Sequence, residues 1–444
     1  MSRLIRRLAL ATIAGSAVAG SAGAQLLGVA PLPQLSLPLP TSNLPVGGPV
    51  LQNLLSTPGA QQAVNRTLDS VGAGTELIAQ SGAPSLLELR RLRLQELIRS
   101  NRATVESDGD GLPVRRGMLA IINPDPGGLL AAVRVGFRVT ADQQDVDLGL
   151  RIVSLAAPSG LSAKGGLKLL NKVAPSLQAD FDHLYEPAGG SLAPVAAALA
   201  ATQGAGRGPA IGMIDGGVAS HPSLAGKSIE QNGFAGAPQA TGHGTAIASL
   251  LIGSQGPFRG AATGAQLFVA DVYGGNRAAG SATSIVKALG WLSRQRPQVI
   301  NISLVGPPNK LVQQAIRIVQ SRGIAVAAAV GNDGPAAPAQ YPASYPGVIA
   351  VTGVDAGGRA LPEAGKAAHL DFAAPGADMA AALPGNGYTR VRGTSFAAPL
   401  VAARLLFAGS SGALAAEARP GKGRVGRGIV CGACRINPRI VGAR

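Results

Sequence analysis

Residues 392–403 read RGTSFAAPLVAA, which places a serine directly before a run of small apolar residues. Proline is tolerated in the first turn of a helix, where its missing N–H has no partner to lose. Pro399 therefore predicts a buried helix from about Phe396 to Phe407, with Ser395 at its start. A hydroxyl there lies beside unpaired backbone N–H groups and the positive end of the helix dipole. Ser395 is either an N-cap or a nucleophile, depending on its partners.

Apolar strands alternate with helices from about residue 208 onward. Such alternation predicts an α/β fold with a parallel central sheet and helices on both faces. Functional side chains in such sheets lie at the carboxyl ends of the strands. The predicted strands are PAIGMID, AQLFVADV, VINISL, IAVAAAV and GVIAVTGV, and the predicted helices follow residue 243 and span about 283–294 and 309–321.

Three polar residues occupy the positions where partners of Ser395 are expected. Asp215 ends the strand in AIGMIDGGV, where a carboxylate is costly unless it is paired. His243 lies between two glycines at the head of an apolar helix in ATGHGTAIASLLIG, and glycine there lets a substrate backbone approach the imidazole. Asn332 follows a strand in VAAAVGNDGP, and its amide can donate to a developing oxyanion. Alone, each is also compatible with a structural cap or turn.

Together these motifs, in the order Asp, His, Asn, Ser, resemble the subtilisin (subtilase) family of serine endopeptidases. The resemblance rests on MIDGGV, GHGTAIASL, GND and GTSFAAP and covers roughly residues 208–408. It implies a catalytic triad of Asp215, His243 and Ser395, with Asn332 in the oxyanion hole. It also implies that two segments form the substrate-binding wall, namely Ser303, Leu304, Val305 and Gly306, and Ala329, Val330 and Gly331.

The sequence departs from the family pattern at several positions. Gly216 stands where the family usually has Thr or Ser, so a hydroxyl beside Asp215 is lost. Val305 and Val330 replace smaller residues, which predicts narrowed subsites and small or medium apolar residues at the primary specificity position. The family's calcium loops are not recognisable, so no cofactor or metal is predicted, although calcium is left open, and Asp108–Gly111 is interpreted as a structural turn.

Other assignments fit less well. His221, in ASHPSL, competes with His243 for the role of base but lies in a polar turn; His183 and His369 lie outside the motifs. The related sedolisin group would need Glu and Asp at positions 243 and 332, and an α/β-hydrolase would need Gly-x-Ser-x-Gly around Ser395. A secreted non-catalytic binding module of the same fold would be expected to lack a triad member.

Residues 117–185 predict a βαββαβ unit upstream of these motifs. This unit looks like the family's inhibitory propeptide, a ferredoxin-like domain that folds beside the protease and covers its cleft. Processing is then expected between about Glu186 and Gly208. The chain would be a zymogen whose partners are protein or peptide substrates and its own propeptide.

The first residues, MSRLIRRLALATIAGSAVAGSAGAQ, have the features of a signal peptide cleaved before Gln25. An uncleaved anchor is the alternative, but the apolar stretch is short and rich in Gly and Ser for a spanning helix. No later segment is predicted to span a bilayer, so we expect secretion to the periplasm or medium. A basic amphipathic helix at residues 85–102 is expected to pack on the next domain rather than bind a membrane.

The charge and the cysteines add little to the functional assignment. The chain of 444 residues carries a formal net charge of +16. Seven basic residues against one acidic residue lie in the last 35 positions, but no nucleic-acid motif accompanies them, so nucleic acid is not predicted as a partner. Cys431 and Cys434 are too few for a disulfide scaffold and lack nearby zinc ligands, which leaves a local disulfide.

The chain thus divides into seven predicted regions. They are a signal peptide (1–24), a Leu/Pro-rich low-complexity segment (25–83), a basic amphipathic helix and linker (84–112), a propeptide-like domain (113–187), a linker with a processing site (188–207), a subtilisin-like catalytic domain (208–409) and a basic C-terminal tail (410–444).

Overall fold

The computed structural model describes residues 85–188, the backbone of residues 194–197, and residues 208–443. The predicted signal peptide, the segment 25–83 and most of the linker 188–207 lie outside the described residues.

The amino-terminal part contains one helix followed by a small α/β unit. Its elements are α1 (Leu86–Ser100), β1 (Val105–Ser107), β2 (Pro113–Ile122), α2 (Pro126–Arg134), β3 (Arg138–Asp145), β4 (Leu150–Ala156), α3 (Ala163–Val173) and β5 (Ala179–His183). The strands pair antiparallel in the spatial order β5-β2-β4-β3, and β1 pairs with the start of β2. From β2 to β5 the order is βαββαβ, as the sequence predicts.

Local sequence signals account for the helices of this unit. Asp125 caps α2 by accepting the Gly128 N–H at 2.6 Å, and Pro126 follows at the first helical position. Ser162 caps α3 through the Gly165 N–H at 3.2 Å. Both helices contribute to the buried cluster that covers one face of the sheet.

The part of the chain that follows β5 is built around a parallel sheet. Between residues 186 and 417 the structure has β6 (Glu186–Pro187), β7 (Pro194–Ala197), β8 (Ala210–Asp215), β9 (Ile229–Gly233), β10 (Gln239–Thr241), α4 (Gly242–Ile252), β11 (Ser254–Gln255), β12 (Phe258–Arg259), β13 (Gln266–Asp271), α5 (Ala282–Gln295), β14 (Val299–Ile302), β15 (Leu304–Val305), α6 (Lys310–Ser321), β16 (Ala325–Ala329), β17 (Ile349–Val354), β18 (Phe372–Pro375), β19 (Met379–Ala382), β20 (Tyr388–Val391), α7 (Thr394–Ala408) and α8 (Ser411–Glu417).

Seven strands form the main sheet in the order β18-β17-β16-β14-β8-β13-β9, and every pair in it is parallel. Alternate residues of each strand face opposite sides, as in Ile211 and Met213 against Ala210 and Ile214. Helices α4 and α7 cover one face, and α5 and α6 cover the other. The predicted α/β fold with helices on both faces is confirmed.

The two edge strands of the sheet are absent from the sequence prediction. β9 contains IEQNG and β18 contains FAAP, and each pairs with a single neighbour in the main sheet. β9 is only partly buried and lacks the apolar run that marks a central strand, whereas β18 is fully buried but only four residues long.

The segment after α7 packs on the parallel-sheet domain instead of extending from it. Leu414, Val430 and Ile436 are buried in the same cluster as α4 and α7. The Ala373 carbonyl of β18 accepts the Val430 N–H at 2.8 Å, and the Ala373 N–H donates to the Gly428 carbonyl at 2.9 Å. Cys431 and Cys434 form the predicted local disulfide.

Among the described helices, none is by itself both long and apolar enough to cross a bilayer; only the bent pair α7–α8 meets those criteria jointly.

Candidate active site

Asp215 and His243 form a buried pair at the carboxyl end of the central strand β8. The His243 Nδ1 lies 2.9 Å from both carboxylate oxygens of Asp215, and both side chains are fully buried. The Gly216 N–H donates to Asp215 Oδ1 at 2.7 Å. A carboxylate only accepts, so Nδ1 must carry the proton and Nε2 is left as an acceptor. The imidazole is therefore held in the tautomer that a general base requires.

Thr241 takes the space that Gly216 leaves open. A Cβ at position 216 would lie 2.5 Å from Thr241 Oγ1. Thr241 is the N-cap of α4, and its hydroxyl accepts the Gly244 N–H at 2.9 Å. The glycine that departs from the family pattern therefore lets the start of α4 approach the turn after Asp215.

The two glycines around His243 have different surroundings. A Cβ on Gly244 would lie 2.3 Å from the Gly216 carbonyl oxygen, whereas a Cβ on Gly242 would have no atom within 4 Å. Gly244 thus permits close packing of α4 on the protein's own backbone, contrary to the expectation that both glycines serve substrate approach. Only the Gly242 side is open.

We expect Gly244→Ala to lower the free energy of unfolding by about 1–3 kcal/mol, because the added methyl overlaps a backbone carbonyl. Gly242→Ala is the matched control, because it adds the same methyl to the same helical turn in open space. That change should be neutral or stabilise by up to about 1 kcal/mol. Thermal unfolding of both variants in a Ser395→Ala background, which prevents self-digestion, measures the difference; equal midpoints would contradict it.

Ser395 is the second residue of α7, which begins two residues earlier than predicted. Gly393 is the N-cap at φ +136°, and the cap makes no side-chain hydrogen bond, so the N-cap interpretation of Ser395 is wrong. Pro399 is also not in the first turn but at the sixth helical position.

The proline has a specific consequence for the serine. A helical N–H at position 399 would bond to the carbonyl of residue 395, and proline has none. The Ser395 carbonyl instead accepts the Ser303 hydroxyl at 3.0 Å, and Ser303 Oγ in turn accepts the Asn301 amide at 3.0 Å. Because Pro399 leaves the Ser395 carbonyl without a helical partner, this carbonyl can connect the start of α7 to Ser303, the residue after β14.

Ser395 and His243 are not hydrogen-bonded to each other. Ser395 Oγ and His243 Nε2 are both buried, and neither has a hydrogen-bond partner in the part of the chain described. The His243 and Phe396 rings lie 5.4 Å apart, so the two residues share one region of the structure. Catalytic hydrogen bonds are often loose in resting structures. A hydrogen bond between the Ser395 hydroxyl, a donor, and His243 Nε2, an acceptor, would satisfy both of these buried groups.

Asn332 lies directly beside the start of α7. Its Oδ1 accepts the Thr394 N–H at 2.9 Å, and Thr394 Oγ1 bonds to both the N–H and the carbonyl of Gly331 at 3.1 Å. A Cβ on Gly393 would lie 2.7 Å from Asn332 Nδ2. The amide is thus oriented, and its Nδ2 donates to the Ala188 carbonyl.

Residues 185–188 lie in the predicted substrate-binding cleft as an extended strand. β6 pairs antiparallel with β15, with Leu304 opposite Pro187 and Val305 opposite Glu186. The Ala188 N–H donates to the Ser303 carbonyl at 2.8 Å. An extended peptide added to a strand in this way is held mainly by backbone bonds, while side-chain pockets give specificity.

Tyr185 fills a pocket at the far end of this strand. Its N–H donates to the Gly280 carbonyl at 2.7 Å, and its hydroxyl donates to the Pro307 carbonyl at 2.9 Å. A Cβ on Gly306 would lie 2.5 Å from the Tyr185 ring. The Tyr185 ring therefore packs against Gly306, in the space that a side chain at position 306 would fill.

The remaining predicted cleft residues divide between the two faces of the sheet. Val305 and Ala329 belong to the same buried cluster as Ala188. Val330 belongs to the opposite cluster, so its side chain does not narrow the pocket next to Ala188 as expected. Gly331, at φ +87°, lies against Val305: a Cβ there would be 3.2 Å from Val305 Cγ1.

His221 is fixed in a structural role. Its Nδ1 accepts the Ser223 N–H at 3.1 Å, so the other ring nitrogen donates to the Gly387 carbonyl at 3.0 Å. Burial lowers the pKa of its imidazole. His183 pairs with Asp108 and Asn309, and His369 with the Val348 carbonyl, all away from the Asp215–His243 pair.

Two residues near the cleft strand, Tyr273 and Asp271, belong to none of the sequence motifs. Tyr273 donates its hydroxyl to the Tyr185 carbonyl at 3.1 Å, and Asp271 accepts the Tyr273 N–H at 2.8 Å. Burial raises the pKa of Asp271. Asp271 ends β13 in register with Asp215, and that strand-end position is the only sequence signal that could have indicated it.

No cluster of three or more His, Cys, Asp or Glu side chains suited to a metal ion occurs within the described residues. Asp108 instead closes a turn, because its Oδ1 accepts the Asp110 and Leu112 N–H groups at 2.8 and 3.1 Å.

A fold with this site has known relatives. The model of the subtilase family matches residues 206–410. The chain is 33% identical over 202 residues to subtilisin Savinase of Lederbergia lenta, covering 44% of this chain and 74% of that protein. It is 34% identical over 223 residues to thermitase of Thermoactinomyces vulgaris, covering 48% and 77%. It spans only 53% of the alkaline protease of Alkalihalobacillus alcalophilus, at 33% identity.

A solved structure extends the likeness of fold. Fervidolysin of Fervidobacterium pennivorans, described as a keratinolytic enzyme related to subtilisin, superposes with a TM-score of 0.59 at 19% identity. The match covers 71% of this chain and 60% of fervidolysin, and at this identity it concerns the fold alone. The family model and the sequence relatives show that the chain belongs to the subtilase family of serine endopeptidases.

Proposed function

We propose that the protein is a secreted endopeptidase, made as a zymogen, that cleaves peptide bonds with Ser395 as nucleophile, His243 as general base and acid, and Asp215 as the group that orients the imidazole. The observation that carries this proposal is the Ala188 carbonyl, which is held by the Asn332 amide beside the start of the helix that bears Ser395. Such a contact between a backbone carbonyl and the proposed oxyanion-hole amide supports Ala188 as the residue before the scissile bond.

The first half of the reaction acylates the serine. His243 Nε2 removes the Ser395 hydroxyl proton as Oγ forms a bond to the carbonyl carbon. The carbonyl oxygen becomes an oxyanion, held by Asn332 Nδ2 and by the Ser395 N–H, which has no intrahelical acceptor at the second helical position. The imidazolium, stabilised by Asp215, then gives its proton to the departing amine as the C–N bond breaks.

The second half returns the enzyme to its starting state. Water attacks the ester carbon while His243 takes one of its protons. The same amides hold the new oxyanion, and the proton passes to Ser395 Oγ as the acyl bond breaks. Substrates are proteins or peptides whose extended backbone pairs with β15.

We assign the propeptide-like domain, residues 113–187, to the propeptide because its last long strand, β5, holds the cleft strand in place. Asp182 Oδ1 accepts the Thr283 N–H at 2.9 Å at the start of α5, and Asp180 Oδ2 accepts the Lys310 N–H at 2.8 Å at the start of α6. Carboxylates are favourable at helix N-termini. Two helix starts of the catalytic domain are thus capped by one strand, β5, that leads directly into the cleft.

The proposal places the processing site between Ala188 and Gly189. We expect the full chain to yield a fragment whose first residue is Gly189, and the Ser395→Ala variant to stay uncut. Ser321→Ala, which changes an exposed serine on α6, is the control and should process normally. Amino-terminal sequencing and fluorophosphonate labelling provide the readouts. Equal labelling of the Ser395→Ala variant would overturn the nucleophile, and a different first residue would overturn the processing site.

A further inference from the structure

A cluster of five charged side chains lies beside the cleft strand. Glu186 Oε2 is 3.1 Å from Arg93 Nε, and Glu186 Oε1 is 3.1 Å from Arg277 Nη2. Asp333 lies 2.9 Å from Arg93 and 3.1 Å from Arg90. Burial opposes ionisation of Glu186, but the charges of Arg93 and Arg277 outweigh it, and its pKa lies below the ordinary value. Glu186 is therefore a buried carboxylate with two arginine partners.

Along the chain, Arg90 and Arg93 precede the proposed processing site and Arg277 follows it. Arg90 and Arg93 belong to α1, which precedes the cut, and Arg277 belongs to the catalytic domain, which follows it. When residues up to 188 leave, Arg93 leaves with them and Arg277 stays. The catalytic domain then presents Arg277 where Glu186 lay, and Asp333, which also stays, loses both of its arginine partners.

The backbone fixes where that cation stands relative to a substrate. Arg277 opens the short 3-10 turn Arg277–Ala279, and the next residue, Gly280, accepts the Tyr185 N–H. The same strand pairs with β15 on its other side. A peptide bound in this register therefore places the third residue before the scissile bond beside Arg277.

Arg277 also has an unused donor. Its Nε is buried and has no hydrogen-bond partner among the described residues, while only Nη2 contacts Glu186. The Nε and Nη2 groups of arginine form a fork that matches the two oxygens of a carboxylate. Once Arg93 has left, an acidic side chain of a bound substrate can accept hydrogen bonds from both of these Arg277 donors.

We propose that Arg277 is a specificity-determining residue that selects substrates with Glu or Asp at the third residue before the scissile bond. This inference rests on the proposed function, because it takes residues 185–188 as a guide to substrate register. The Arg277 side chain is 38% exposed, so water and salt weaken the interaction. We expect a preference of about tenfold for Glu over Gln, which falls as ionic strength rises.

The test compares peptides of the form Tyr-X-Pro-Ala, carrying a reporter amide after Ala, with X as Glu, Gln or Lys. With the processed enzyme we expect kcat/KM to be about tenfold higher for Glu than for Gln, mainly through KM, because the contact is remote from the reacting atoms. Arg277→Gln should abolish the preference, and Arg277→Glu should favour Lys over Glu.

The control is Arg317→Gln, which removes an exposed arginine of α6 that forms no ion pair in the described part of the chain and should leave the preference unchanged. Equal cleavage of the Glu and Gln peptides by the wild-type enzyme would overturn the role of Arg277 and leave the protease assignment intact. A preference that persists in Arg277→Gln would do the same. Failure to cleave any of the peptides would overturn both.

Discussion

Replacing His243 by alanine should lower kcat by about 10⁶-fold, the size of the loss caused in subtilisin itself by removing its histidine. The reason lies in the isolation of the Ser395 hydroxyl. It is buried, and no group among the described residues hydrogen-bonds to it, so only the unpaired Nε2 of His243 is proposed to accept its proton. Peptide hydrolysis is measured after the variant has been cut by immobilised wild-type enzyme, since it should not process itself.

Two further variants make this prediction specific. The double variant His243→Ala/Ser395→Ala should be no slower than either single variant, because the two side chains act as one unit. His221→Ala is the matched control, since His221 bonds to Ser223 and Gly387 and not to the proposed site. A large loss of activity in His221→Ala, with activity kept in His243→Ala, would show that His221 and not His243 is the base.

Changing Asp215 to asparagine should lower kcat by about 10⁴-fold, as the same change does in a serine protease of another fold. Both carboxylate oxygens lie 2.9 Å from His243 Nδ1, and one of them also accepts the Gly216 N–H. Asparagine can keep its oxygen on Gly216 only by turning its NH₂ toward Nδ1. The imidazole would then carry its proton on Nε2 and could not accept one from Ser395.

Asp271→Asn is the control for this change. Asp271 ends the neighbouring strand in register with Asp215 and is equally buried, but it accepts backbone N–H groups and does not contact the imidazole. We expect its kcat to stay within tenfold of the wild-type value. Similar losses in the two variants would mean that Asp215 serves stability and not tautomer selection.

The sequence predicts the positions of Asp215 and His243 well, because strand ends and helix starts are local signals. A buried strand that ends in aspartate can be identified from its apolar run, and parallel strands bring such ends to one edge. The sequence predicts the start of α7 less accurately. It places Pro399 in the first turn, because nothing local reveals that the Ser395 carbonyl has a distant partner in Ser303.

Contacts between distant residues could not be predicted. Arg93 and Glu186 are 93 positions apart, and neither belongs to a motif. The sequence does not predict the short strand β6, because its order comes from pairing with β15 and not from its own residues. The side of the sheet that Val330 faces likewise depends on strand register, and one position reverses it.

The packing of residues 428–430 on β18 has a consequence for the whole molecule. An uncovered border strand offers a row of free N–H and C=O groups to any extended chain, including a second copy of itself. Here Gly428 and Val430 occupy those positions on Ala373. The proposed function has peptides pair with β15, and residues 428–430 occupy the backbone groups of β18 that could otherwise bind the same extended peptides.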